Sequence, residues 1–161
     1  MIKSPFMEEL DNRLRPEERI FKFRSAELVG SLFKLELLVD HNAYDDILND
    51  ELKNKVYAAS KEIIPESFTL NVKYVKANNE ETAIIKHIME FVYKEKPTVY
   101  SGFSTSEVAV ESSADVVYIQ ITLEKYLYEY AVNSNMKKEM EEYLQGWIME
   151  DAEVEFIAVP N

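Results

Sequence analysis

Between Leu32 and Val75 the chain lays down an apolar pattern that returns 84 positions later, between Val116 and Val159, without a gap. Leu37 meets Ile121, Leu52 meets Met136, Val56 meets Met140, Ile63 meets Trp147, Leu70 meets Val154 and Val72 meets Phe156. Identities are few: Tyr44/Tyr128, Asn49/Asn133, Lys53/Lys137, Ile64/Ile148, Glu66/Glu150 and Val75/Val159. A duplication and a hydrophobic template imposed twice by physics both account for this, and both give one architecture. The fold class is α+β: two small β–β–α–β units joined by a long central helix around Ala83–Tyr93. The expected domains are 1–78, with an N-terminal helix before the first unit, and 79–161, with the connecting helix before the second.

Local signals place the elements. Ser4-Pro5 reads as an N-cap and a proline at the first helical position of a short helix carrying Phe6, Met7 and Leu10 to about Asn12; Arg15-Pro16 breaks it. Strands are expected at Ile20–Arg24 and Leu32–Val39, joined through a turn around Val29-Gly30-Ser31. In the second of these Phe33, Leu35, Leu37 and Val39 share a face, and Lys34 and Glu36 take the other. Asn49 caps a helix with Asp50 and Glu51 in its first turn, where negative charge suits the helix dipole. Pro65 ends that helix, and Phe68–Tyr74 alternates as a half-buried strand. The central helix starts at Asn79 and lines up Ile84, Ile85, Ile88, Met89 and Val92, and Thr98–Ser106 reads as loop. Val108 and Val110 mark a short strand, and Val117–Leu123 alternates through another. Asn133/Ser134 open a helix with Met136, Met140, Tyr143, Leu144, Trp147 and Ile148 on one face; Val154, Phe156 and Ala158 close with a strand.

Charge narrows the function classes. Against 18 Lys+Arg stand 30 Asp+Glu in 161 residues, a formal net charge of −12. Such a surface repels phosphate, which argues against direct nucleic-acid binding driven by counterion release and against anionic membranes. The absence of cysteine removes disulfides, thiolate nucleophiles and Cys-based zinc sites, and it fits a reducing cytoplasm. The start shows no signal-peptide pattern, and the apolar stretches fall far short of a membrane span. A cytoplasmic location is expected.

Motifs that carry chemistry are missing. His41 follows a strand, and His87 has only Glu90 within a helical turn, too little for a metal site. The adjacent acids Asp45-Asp46, Glu80-Glu81 and Glu141-Glu142 point about 100° apart on a helix and do not converge. Glu107 and Glu111 bracket a strand at even spacing and share its outer face. No Gly-x-Ser-x-Gly elbow, no Gly-x-Gly-x-x-Gly and no Walker-type loop occurs. Units of this kind invite comparison with KH domains, whose backbone clamp needs Gly-x-x-Gly; Gly30, Gly102 and Gly146 never come that close. No catalytic residue, metal or cofactor is expected.

Two features suit a docking surface instead. Tyr126-Leu127-Tyr128-Glu129-Tyr130 aligns three tyrosines on one face if extended, and pairs Tyr126 with Tyr130 if helical. Exposed tyrosines are favoured interface anchors because they offer large area for little rotamer entropy. The alternative is that these rings cover the edge of a small sheet. The N-terminal helix, with Phe6, Met7 and Leu10, is the second candidate; it either docks a partner or folds back on its own domain.

The segments Phe33–Val75, Glu81–Pro97 and Val116–Val159 (FKLELLVDHNAYDDILNDELKNKVYAASKEIIPESFTLNVKYV, ETAIIKHIMEFVYKEKP and VVYIQITLEKYLYEYAVNSNMKKEMEEYLQGWIMEDAEVEFIAV) carry a family likeness. Their order of elements resembles the N-terminal region of the PolC-type DNA polymerase III alpha subunit of low-GC Gram-positive bacteria. The match is one of pattern over most of the chain. Units of this shape also resemble domain I of the initiator DnaA and the alpha-binding end of the clamp-loader tau subunit. The resemblance implies the front end of a DNA-directed DNA polymerase, with palm, exonuclease, PHP and OB modules all after Asn161. It implies a non-catalytic region that docks replisome proteins such as the clamp loader or helicase. Three alternatives stand beside it: a stand-alone small α+β protein, a KH-like nucleic-acid binder, and a small carboxylate-using enzyme.

Overall fold

Ser4 holds the start of the first helix, its hydroxyl accepting from the Met7 amide at 3.2 Å. The computed structural model describes residues 4–160, and the chain divides between Ala77 and Asn78 into two compact units. In the first, helix α1 (Pro5–Asn12) and a 3₁₀ turn (Pro16–Glu18) precede β1 (Phe21–Val29), β2 (Leu32–Val39), α2 (Asp50–Ile63) and β3 (Thr69–Lys76). β2 is central, antiparallel to β1 and parallel to β3. Gly30 takes φ +60 in the two-residue β1–β2 connection, a backbone setting that glycine adopts without steric cost. Asn49 caps α2, its side chain accepting from the Leu52 amide at 2.9 Å.

β1 runs five residues beyond the expected end at Arg24, and the pairing register explains why. Phe23 faces Leu37 and Ser25 faces Glu36, so Arg24 is an extra residue in a bulge. The bulge shifts the alternation by one: Phe21 and Phe23 pair with Val39 and Leu37 before it, and Ala26 and Leu28, both exposed, pair with Leu35 and Phe33 after it. A strict period of two therefore ends at Arg24 although the strand does not.

The second unit opens with α3 (Glu81–Glu95), a 3₁₀ turn (Pro97–Val99) and α4 (Tyr100–Ser104). Then come β4 (Glu107–Ser112), β5 (Val116–Leu123), α5 (Lys125–Asn133), α6 (Met136–Leu144) and β6 (Asp151–Ala158). Its sheet repeats the first: β5 is central, antiparallel to β4 and parallel to β6. The helix expected to bridge the units contributes Ile84, Ile88, Phe91 and Val92 to the second unit's own core. The expected loop Thr98–Ser106 holds α4, whose Phe103 is fully buried. Asn133 ends α5 rather than capping the next helix, and the actual N-cap of α6, Asn135, makes no side-chain capping bond.

The two sheets also correct the ungapped alignment. Leu35 pairs with Val72, and its counterpart Ile119 pairs with Val154, not with Phe156. The link between central and third strands covers residues 40–68 in the first unit and 124–150 in the second, two fewer. Because side chains alternate with a period of two, an even slip keeps every apolar residue on its face. The offset of 84 therefore looks continuous through a real deletion.

Candidate interaction surface

α1 is committed to its own unit. Met7 and Leu10 are buried with Leu35, Leu37 and Val56, and Phe6 packs half-buried with its ring 6.4 Å from that of Phe23. Arg13 ties α1 to α2 by donating to Glu62 at 3.1 Å. Behind α1, Glu18 accepts from Lys55 at 2.6 Å and from the Arg15 amide at 2.9 Å, which hold its carboxyl down at about 2. Of the three helix residues singled out from the sequence, Met7 and Leu10 present no free surface.

The tyrosine run is helical. α5 puts Tyr126 and Tyr130 four residues apart on one face, 64% and 38% exposed, and turns Tyr128 to pack against the core. Leu127 is the buried anchor of α5, and it requires Gly102: a Cβ there would stand 2.3 Å from Leu127 Cδ1. α4 and α5 thus approach closely, and a groove of about 380 Å³ opens beside them, lined by Gly102, Thr105, Glu107, Tyr126, Leu127 and Val159. Val159 and Val132 are also exposed. Acids Glu124 and Glu129 stand beside Tyr126 and Val159, with Lys125 between them.

The outer face of the second sheet forms a second, broader concavity of about 690 Å³. Glu111, Tyr118 and Glu153 pair in one row across β4, β5 and β6, and Ala109, Gln120 and Glu155 in the next. All six are exposed. Lys137 lies at the margin, bonded to Glu141 at 2.5 Å. Glu107 and Glu111 were legible as one face from their spacing; Glu153 and Glu155 join them only through the β5–β6 register, which sequence periodicity does not supply.

The first sheet's outer face is built differently. There Glu36 takes a hydrogen bond from the Ser25 hydroxyl at 2.9 Å and pairs with Arg24 and, at 3.8 Å, with Lys73. The Ser25 bond and the two cations hold the Glu36 carboxyl below the usual carboxylate range. Lys34 stands one row away.

Among the described residues, no group of three or more His, Cys, Asp or Glu side chains is placed to hold a metal ion. His87 stacks on Trp147 with ring centroids 4.1 Å apart and its Nδ1 3.2 Å from Glu90. The carboxylates of the sheet face stand in solvent. No helix of the described residues is long and apolar enough to cross a membrane. No protein-family model matches the chain, and no curated protein does.

Proposed function

We propose that this chain is a non-catalytic protein–protein interaction region that serves bacterial DNA replication in the cytoplasm, at the front of a PolC-type DNA polymerase III alpha subunit. The observation that carries the reading is the Tyr126 groove: aromatic surface held in water beside a concavity, in a unit whose core is complete without it. The polymerase setting rests on the order of elements it shares with that family, and the partners it implies are the clamp loader or the helicase.

The test uses the whole chain, immobilised, with purified clamp-loader and helicase proteins from a Gram-positive bacterium. One of them binds, and Tyr126→Ala/Tyr130→Ala weakens that binding by about tenfold or more. The same variant changes unfolding free energy by less than about 1 kcal/mol, because both rings stand in solvent. Binding of neither protein to the unaltered chain overturns the replisome reading. Binding that survives the double variant moves the contact elsewhere on the chain.

A further inference from the structure

We infer that the outer face of the second sheet, continued into the Tyr126 groove, is a track for an extended, Arg/Lys-rich segment of a partner protein; this rests on reading the chain as a protein-binding region. The track is continuous in the register. Beyond the rows Glu111–Tyr118–Glu153 and Ala109–Gln120–Glu155 lies Glu107–Thr122–Ile157, and Glu107 and Thr122 are themselves walls of the Tyr126 groove. Two exposed rings, Tyr118 and Tyr126, stand at its ends.

No lysine or arginine occupies any of these rows. This is not a demand of the topology, because the sister sheet places Lys22, Lys34 and Lys73 at the positions that Glu107, Tyr118 and Glu155 hold here. Glu111, Glu153 and Glu155 line the concavity with Lys137, which is bonded to Glu141, and Glu107 lines the adjoining groove; a cationic segment relieves the repulsion among these four carboxylates. Ring faces at both ends suit the same occupant, since guanidinium groups and the aliphatic stems of lysine and arginine pack over tyrosine. From Tyr118 to Glu124 the strand advances about 20 Å, the reach of some six to eight residues of extended chain. The charge that attracts such a peptide repels nucleic acids and anionic membranes.

The probe is a fluorescein-labelled eight-residue peptide alternating Arg and Ala, followed by anisotropy with the whole chain at ~50 mM salt, where screening is moderate. Saturable one-to-one binding is expected, with none for the Glu/Ala counterpart. Glu107→Gln/Glu111→Gln/Glu153→Gln/Glu155→Gln weakens it about tenfold or more, and Glu111→Gln/Glu153→Gln by part of that. Removing the same charge from the first unit, as Glu8→Gln/Glu27→Gln/Glu51→Gln/Glu66→Gln, changes it less than about twofold. Equal weakening by both fourfold variants, or no saturable binding, overturns the track. If the sheet variants leave peptide binding unchanged while Tyr126→Ala/Tyr130→Ala still loses the clamp loader or helicase, the track fails and the interaction reading stands. Loss of the track with the sheet variants but no binding of either replication protein leaves the track and removes the replisome.

Discussion

The first unit covers its sheet with one 14-residue helix between central and third strands, and the second with two nine-residue helices in a shorter link. Both arrive at the same strand order and the same parallel pairing. Topology is therefore set by the alternating strands and by which face they bury, and the helices fit the face in more than one way. The difference also appears ahead of each sheet. After Arg15 and Lys96 a proline opens a 3₁₀ turn; it ends in the ion-paired Glu18 in one unit and in Val99, packed on the core, in the other.

The strongest probe of that equivalence is the pair Leu37 and Ile121, fully buried at matching positions of the two central strands. Leu37→Ala and Ile121→Ala are each expected to cost about 3 kcal/mol, since each leaves a cavity in a small core. Trp147 is the sole tryptophan and lies in the second unit, so Ile121→Ala moves its fluorescence transition by the full amount. Far-UV circular dichroism reads the loss in Leu37→Ala. A cost below about 1 kcal/mol at either site breaks the equivalence.

Gly102→Ala comes next, at about 1–3 kcal/mol, because the added methyl must displace buried Leu127. Adding Leu127→Ala removes the clash, so the double variant falls short of the sum of its parts in urea titrations.

Acid separates the units further. Glu18 is held at about 2, below its ordinary 4.5, so it contributes stability above pH 4.5 that disappears as pH falls through 2. Glu18→Gln is expected to cost about 1 kcal/mol at pH 7 and to match the unaltered chain near pH 2 in thermal melts. A constant difference across that range removes the ion pair as the cause. The smallest contrast is between caps: Asn49→Ala costs about 1 kcal/mol, and Asn133→Ala, its counterpart by number, less than about 0.5 kcal/mol, because only Asn49 bonds a helix start.

What the sequence makes legible follows from how local each signal is. Ser4, Pro5 and Asn49 act within three residues, and α1 and α2 start where they predict. β2 spans the expected Leu32–Val39, although Leu38 breaks its alternation, and β5 starts one residue before the expected Val117. The end of β1 escapes because the bulge at Arg24 breaks the alternation, and α5 because Tyr-Leu-Tyr-Glu-Tyr mimics a strand. α4 hides behind Ser, Gly and Thr, with Phe103 its single buried hydrophobe. The candidate surface is half legible for the same reason. Tyr126 and Tyr130 pair at helical spacing, whereas the meeting of Glu153 with Glu111 across Tyr118 needs the partner strands.

The placement of those acids has a consequence for the sheet's borders. β4 and β6 are the two outermost strands of the second sheet, where a further strand can pair, and on β6 the Val154 amide is already taken by the Glu141 carboxylate at 2.9 Å. Glu107 and Glu111 sit on one border, Glu153 and Glu155 on the other. Another copy approaching either border brings the same negative row and is turned away, which protects the apolar stretch Val154-Glu155-Phe156-Ile157 from stacking into aggregates.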